Sequence, residues 1–151
     1  VFSEVIKKKK DAYLLYVGQV DKDVKSKVDS MIIKNKIPLN HIRFLGLRND
    51  ATSILSISDV CIIPSRSESF SLVAVEAQAF NVRVIASDAI PNSVLRNANT
   101  FELSLNDSAE KWANAILSKD IDVTKDGGIE LFDIKNVISK HIQLYKSVCQ
   151  Y

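Results

Sequence analysis

Short apolar runs alternate along the chain with longer stretches in which apolar residues recur every three or four positions. Runs rich in β-branched and aromatic residues predict strands, and the three-to-four recurrence predicts amphipathic helices. On this basis residues 12–18 (AYLLYVG) form a buried strand ending at Gly18, and residues 21–36 form a helix with Val24, Val28, Met31 and Ile32 along one face. Residues 42–46 (IRFLG) form a second strand, Asp50 caps a brief helix through Ile57, and residues 59–65 (DVCIIPS) form a third strand. A loop and an apolar helix follow over residues 66–80, then strands at 82–88 (VRVIASD) and 100–103 (TFEL). Asp107 and Glu110 have capping-box spacing before a helix that carries Ala109, Trp112, Ala113 and Ile116 on one side. Residues 125–128 (KDGG) read as a flexible connection, and a last helix over 133–148 aligns Ile134, Val137, Ile138, His141, Tyr145 and Val148. Alternating strands and helices of this kind argue for a parallel sheet with covering helices.

Composition narrows the class without changing that picture. A chain of 151 residues matches one domain of ordinary size, 1–151, and its hydrophobic fraction of 46% and charged fraction of 25% are those of a globular protein. Val1 opens what reads as the middle of an amphipathic helix, so a piece of a longer protein is expected. No apolar run approaches the ~20 residues that cross a bilayer, and no secretory leader is recognisable, which points to a cytoplasmic protein. Cys61 and Cys149 suggest neither a disulfide framework nor metal-ligand spacing. With 20 basic and 18 acidic residues the net charge is +2, too little to imply a nucleic-acid partner. The KKKK run at residues 7–10 reads as the solvated end of a helix rather than a polyanion site. His41, beside a strand start, and His141, on an apolar stripe, read as satisfied structural histidines.

Candidate chemistry lies where parallel sheets collect ligands, at the carboxyl ends of the strands. Three loops fall there: Gly18 to Val20, Gly46 to Asn49, and Pro64 to Ser71. The third feeds the apolar helix, whose first amides, near Ser69 to Leu72, suit a phosphate. Glu76 stands inside that apolar helix and Glu68 at its entrance; a buried carboxylate is costly unless it has a partner. Carboxylates accept hydrogen bonds from sugar hydroxyls, so the pair fits a ligand with sugars on both sides of a phosphate group, a nucleotide sugar. On spacing alone the plainer reading is preferred, in which Glu68 caps the helix and Glu76 pairs with a neighbouring arginine.

The stretch IIPSRSESFSLVAVEAQAFNVRVIASD resembles the signature of the retaining glycosyltransferases of family 4, with a strand ending in Pro-Ser, a Glu-x7-Glu motif, a small-residue helix and a strand ending in Ser-Asp. YLLYVG, IRFLGLRND and ISDVCIIPS match in order as well, so the likeness spans about residues 2–118. Within the family the EAQA run and the Lys111-Trp112-Ala113 helix look nearest to bacterial capsular and exopolysaccharide glycosyltransferases. The resemblance implies a Rossmann-like α/β fold, a parallel sheet with helices on both faces, as the donor-binding half of a two-domain GT-B enzyme. It implies that Glu76 binds ribose hydroxyls and Glu68 the hydroxyls of the transferred sugar. It places backbone at Ser69, Phe70, Ser71 and Leu72 against the diphosphate, with Leu47 and Arg48 near the base.

The same likeness implies no metal or other cofactor, a nucleoside diphosphate sugar as hexose donor, and a saccharide or lipid-linked acceptor held by an N-terminal domain. Peripheral membrane association of the complete protein and a role in surface polysaccharide synthesis belong to this expectation. The family's first strand and its diphosphate-holding Arg and Lys correspond to sequence before residue 1, so the 151-residue piece alone is expected to be inactive. The sequence departs from the pattern at Ser69 and Ser71, where Gly is frequent, at Asn81, where Gly is usual, and at Arg83, where Pro is usual. Asparagine tolerates the left-handed conformation, so the turn at residue 81 is expected to survive. The alternative is a non-catalytic sugar-nucleotide or glycan-binding module, or a fold retained without ligand.

Overall fold

The computed structural model describes residues 1–122, 125 and 128–148. Its elements are α1 (Phe2–Lys8), β1 (Leu14–Val17), α2 (Lys22–Lys34), β2 (Ile42–Gly46), α3 (Ala51–Ser56), β3 (Val60–Ile63), α4 (Leu72–Ala79), β4 (Arg83–Ser87), β5 (Thr100–Leu103), α5 (Ala109–Leu117) and α6 (Ile134–Val148). Asp126 and Gly127 of the expected 125–128 connection, Cys149, and the side chains of Tyr145 and Val148 lie outside this description. All strand pairs are parallel, as expected of this α/β fold, and they are shared between two sheets, β1-β2 and β3-β4-β5. The chain forms two compact units, one of residues 1–57 and 106–119 and one of residues 58–105 and from 120 onward.

In the first unit β1 and β2 run in register from Leu14 opposite Ile42 to Tyr16 opposite Phe44, and the pairing then slips so that Val17 meets Gly46. The Gly18 N–H donates to the Gly46 carbonyl at 2.8 Å, which ties the two glycine turns together beyond the strand ends. Both glycines have positive φ, +133° and +68°, where a side chain would be strained. Helix α2 begins at Asp21, whose carboxylate accepts from the Asp23 amide, and its Lys25 ammonium lies 5.0 Å over the Phe44 ring of β2. Its expected apolar face is only partly used: Ile32 is buried, but Met31 is 63% exposed, because a two-stranded sheet offers too narrow a surface for the whole stripe. His41 is structural, with Nδ1 2.8 Å from the Ala12 carbonyl and its ring stacked on Tyr13.

Helix α1 packs on α5 in this same unit, burying Val5 with Trp112, Ala113 and Ile116. The lysine run is tied locally: Lys7 to Glu4 at 2.7 Å, Lys8 to Asn114 at 2.6 Å, and Lys9 to Asp11 at 3.1 Å. Two expected caps differ in detail. Ser108, not Asp107, is the N-cap of α5, its hydroxyl accepting from the Lys111 amide at 3.1 Å, while Asp107 pairs with the Lys111 ammonium at 2.8 Å. Ala109, expected on the buried side, is exposed in consequence. Asp50 does occupy the N-cap position of α3, but its carboxylate takes Arg48 in a two-pronged ion pair, both contacts 2.6 Å, and makes no cap hydrogen bond. That pairing holds the Asp50 carboxyl below its usual range.

The second unit is organised on β4, the central strand, all five of whose residues are buried. Buried on both faces, it reads as the apolar run that a covered parallel strand requires. Arg83 is the exception, and its guanidinium is accommodated by the Asp120 carbonyl at 2.9 and 2.6 Å, Asn99 Oδ1 at 3.3 Å, and the Phe101 ring 4.5 Å away. Desolvation there pulls its pKa down, against the attraction of Asp120. Helix α6 forms as expected but does not bury its stripe: Ile134 is 67% exposed, Ile138 is exposed as well, and His141 is an exposed residue bonded to the Val137 carbonyl of its own helix.

Two helices end in the same way. Beyond α4 the Val82 amide donates to Ala77 and the Asn81 amide to Gln78; beyond α2 the Ile37 amide donates to Ile32 and the Lys36 amide to Ile33. This six-to-one and five-to-two pattern needs a left-handed residue, and Asn81 (φ +56°) and Lys36 (φ +53°) supply it without glycine. The left-handed conformation costs a side-chained residue about 1–2 kcal/mol, less for asparagine, while glycine adds unfolded-state entropy. Lys36→Gly should therefore stabilise the fold by about 0.5–1 kcal/mol and Asn81→Gly should change it little. Urea denaturation of the two variants checks this; an equal gain in both would show that asparagine is strained as much as lysine.

Candidate functional site

The site is built at the carboxyl ends of β3 and β4. These strands pair up to Ile63 opposite Ala86, so the next residues leave the sheet side by side. Ser87, fully buried at the end of β4, donates its hydroxyl to the Ser65 carbonyl at 2.5 Å. Ser65 in turn donates its own hydroxyl to Glu68 Oε2 at 2.9 Å. Glu68 is half-buried and is held to the strand ends rather than to the helix it precedes. It does not cap α4, whose N-cap is Ser71 and which has no side-chain cap.

The first intrahelical bond of α4 runs from the Val75 amide to the Ser71 carbonyl at 3.2 Å. The amides of Leu72, Val73 and Ala74 precede it, and among the described residues no side chain takes them. They form a cluster of outward N–H groups with the positive end of the helix dipole behind them. Ser71 is buried with an extended backbone, and neither it nor Ser69 has positive φ, so serine at these two positions carries no conformational strain. Phe70 is partly exposed and meets Phe132 edge-on at 5.5 Å.

Helix α4 does not bury the face that its composition suggests. Leu72 is 69% exposed and Glu76 is exposed, whereas Ala74, Ala77 and Gln78 are buried. The small alanines let the helix lie close to the sheet, and the larger apolar side chains and Glu76 point away from it. The expectation of a desolvated Glu76 is thus corrected: the carboxylate is in water, and among the described residues it has no ion-pair or hydrogen-bond partner.

The buried polar group of this helix is Gln78, only 2% exposed. Its amide nitrogen donates to the carbonyls of Ala74 and Val94, both 2.8 Å, and its amide oxygen accepts from the backbone of Arg96 at 2.7 Å and Asn97 at 3.0 Å. Asn97 Nδ2 closes the set on the Gln78 carbonyl at 3.0 Å. Sequence reasoning singled out neither Gln78 nor the two serines, although all three stand within motifs that it quoted: EAQA, Pro-Ser and Ser-Asp.

Ser69, Phe70, Ser71, Leu72, Glu68 and Glu76 therefore gather around one helix end in the second unit. Leu47 and Arg48 belong to the first unit, in the turn after β2, where Leu47 is exposed and Arg48 is paired with Asp50. Cys61, on β3, has its thiol pushed up to about 11 by burial and is a poor nucleophile. No cluster of three or more His, Cys, Asp or Glu suited to a metal occurs among the described residues.

A sequence profile described as glycosyl transferases group 1 matches residues 1–119. The chain belongs to this glycosyl transferase family. D-inositol 3-phosphate glycosyltransferase of Rhodococcus erythropolis is 47% identical over 62 residues, which are 40% of this chain and 14% of that protein. The crystal structure of Anabaena HepE in complex with UDP superposes with a TM-score of 0.75 at 18% identity, covering 99% of this chain and 44% of the other. A glycosyltransferase structure from Rickettsia africae gives 0.73 at 25% identity, with 98% and 43% covered. The chain thus spans less than half the length of these relatives, and its architecture of parallel sheets flanked by helices is that of GT-B glycosyltransferase structures.

The helix end that carries the family motif depends on Gln78. In Gln78→Leu the Val94 carbonyl and the Arg96 and Asn97 amides lose their partner, at about 1–3 kcal/mol for each group left buried. We expect a loss of about 3 kcal/mol or more by urea denaturation; a change under 1 kcal/mol would show that water replaces the amide freely.

Proposed function

We propose that this chain is the donor-binding part of a retaining glycosyltransferase, one Rossmann-like unit of a GT-B enzyme. The complete enzyme moves a hexose from a nucleoside diphosphate sugar to a saccharide or lipid-linked acceptor, in the synthesis of a bacterial surface polysaccharide. It works without metal on the cytoplasmic side, associated peripherally with the membrane; among the described residues no helix is long and apolar enough to cross one. The observation that carries the reading is the start of α4, which has no side-chain cap among the described residues, with Glu68 held in place before it and Glu76 exposed within the helix and without a partner among the described residues. Family membership and structural neighbours such as Anabaena HepE, described with UDP and with UDP-glucose, support a nucleotide-sugar donor.

In this reading the amides near Ser69, Phe70, Ser71 and Leu72 face the diphosphate and meet negative charge as it develops on the leaving group. Glu76, with all its acceptor capacity unused, takes the ribose hydroxyls. Glu68 faces the hydroxyls of the transferred sugar, and Leu47 and Arg48 face the base. Arg48 would then trade part of its pairing with Asp50 for the nucleotide, an exposed ion pair that costs little to open.

Two substitutions test these roles. Glu76→Gln should keep the fold and weaken nucleoside diphosphate binding by about 1.5–3 kcal/mol, the range for hydrogen bonds to a charged group. Calorimetric titration with UDP, GDP and ADP measures it, and unchanged affinity would remove Glu76 from the ribose site. Glu68→Ala in the complete enzyme should lower turnover far more than it lowers binding of the nucleoside diphosphate alone. Equal losses in both would make Glu68 a structural carboxylate, and good binding with no transfer by the unaltered protein would favour a non-catalytic binding module.

A further inference from the structure

We infer that Ser65 is a positioning residue for Glu68: its hydroxyl fixes one carboxylate oxygen in advance and leaves the other for the sugar of the donor. This rests on the reading of Glu68 as the carboxylate that faces the transferred sugar. The 2.9 Å bond from Ser65 Oγ engages Oε2 alone. An ionised carboxylate has about four lone-pair sites, so Oε1 keeps its full capacity for ligand hydroxyls.

A free glutamate side chain loses rotamer freedom when a ligand orders it, which weakens binding. A bond that orders it beforehand removes that cost from binding. The bond is useful only if Ser65 itself cannot swing, and the fold provides for this. The Ser65 carbonyl is pinned by the buried hydroxyl of Ser87, and Ser87 lies in the register of the sheet opposite Leu103 of β5. Orientation thus passes from the central strand through two serines to Glu68, by contacts that lie within one unit.

The same geometry says what Ser65 should not affect. Among the described residues its hydroxyl bonds Glu68 and neither the first amides of α4 nor Glu76, so binding of a nucleotide without its sugar should be indifferent to it. A general loosening of the loop would weaken nucleotide and sugar nucleotide alike.

The test uses the full-length protein with UDP, GDP and ADP, each with and without its glucose, titrated by calorimetry. For the pair that binds best, Ser65→Ala should lower affinity for the sugar nucleotide about five- to tenfold, the cost of ordering the carboxylate on binding, and leave the plain nucleotide within twofold. Ser65→Thr, which keeps a hydroxyl, should restore most of it. In a Glu68→Ala background, Ser65→Ala should have no further effect, because its action runs through Glu68. Equal weakening of both ligands, failure of threonine to rescue, or a full effect in the Glu68→Ala background would each overturn the inference. If Glu68→Ala alters the ratio of the two affinities while Ser65→Ala does not, the inference falls and the role of Glu68 stands. If Glu68→Ala leaves that ratio unchanged, or no ligand binds, the role of Glu68 falls and the inference with it.

Discussion

A single buried amide fixes the position of the helix on which the site depends. Gln78 donates both of its amide hydrogens to backbone carbonyls and accepts with its oxygen from two backbone amides, and in doing so joins α4 to the segment of residues 94–97. An apolar residue there would pack adequately but would take from the buried Val94 carbonyl and from the part-buried amides of Arg96 and Asn97 the partner that Gln78 gives them, the more serious fault in a low-dielectric interior. The bonds also have direction, which apolar contact lacks. A helix held by alanines alone can slide by a few tenths of an ångström; one keyed by an amide to four backbone atoms has a defined azimuth and depth. Because its first amides and Glu76 are placed relative to that axis, their accuracy is set from the far end of the helix, while Glu68 is placed by the strand ends.

Most of the fold was legible in the sequence, and the reasons are local. The strands at 42–46 and 100–103 coincide with the runs that predict them, since β-branched and aromatic residues bounded by turn formers leave little choice. The left-handed turn at Asn81 was readable because few residues accept that conformation. The cap of α5 falls one residue from the expected one because Asp107 and Ser108 stand side by side and can both accept an amide; Asp50 holds the expected N-cap position, but its carboxylate is diverted to an arginine two residues away. The face of α4 was misjudged for a different reason. Apolar residues occur on every side of it, so composition cannot reveal which wedge is buried; the spacing of Ala74 and Ala77 beside Gln78 was the available signal, and it marks the close-packed side.

What the sequence could not show is the set of contacts between residues far apart in the chain. Ser65 with Ser87, and Gln78 with Val94, are separated by 22 and 16 positions, and each bond exists only because parallel strands and their loops bring the partners together. The candidate residues themselves were found through the family motif, which names positions but not the support behind them. Arg83 shows the converse. It looks disruptive on a buried central strand, yet a carbonyl, an asparagine and an aromatic face take up its charge, and nearby carbonyl oxygen does for it what no other residue type at that position would need.

The narrow first sheet has a consequence at its edge. Strand β1 pairs with β2 along one side, and Leu15, Tyr16 and Val17 are exposed on it. Among the described residues no strand lies along its other side. Its apolar, β-prone run contains neither proline nor lysine within Leu14–Val17, the residues that would discourage a further strand from pairing there. A strand edge of that composition admits a neighbouring strand, whether from the same polypeptide or from another molecule.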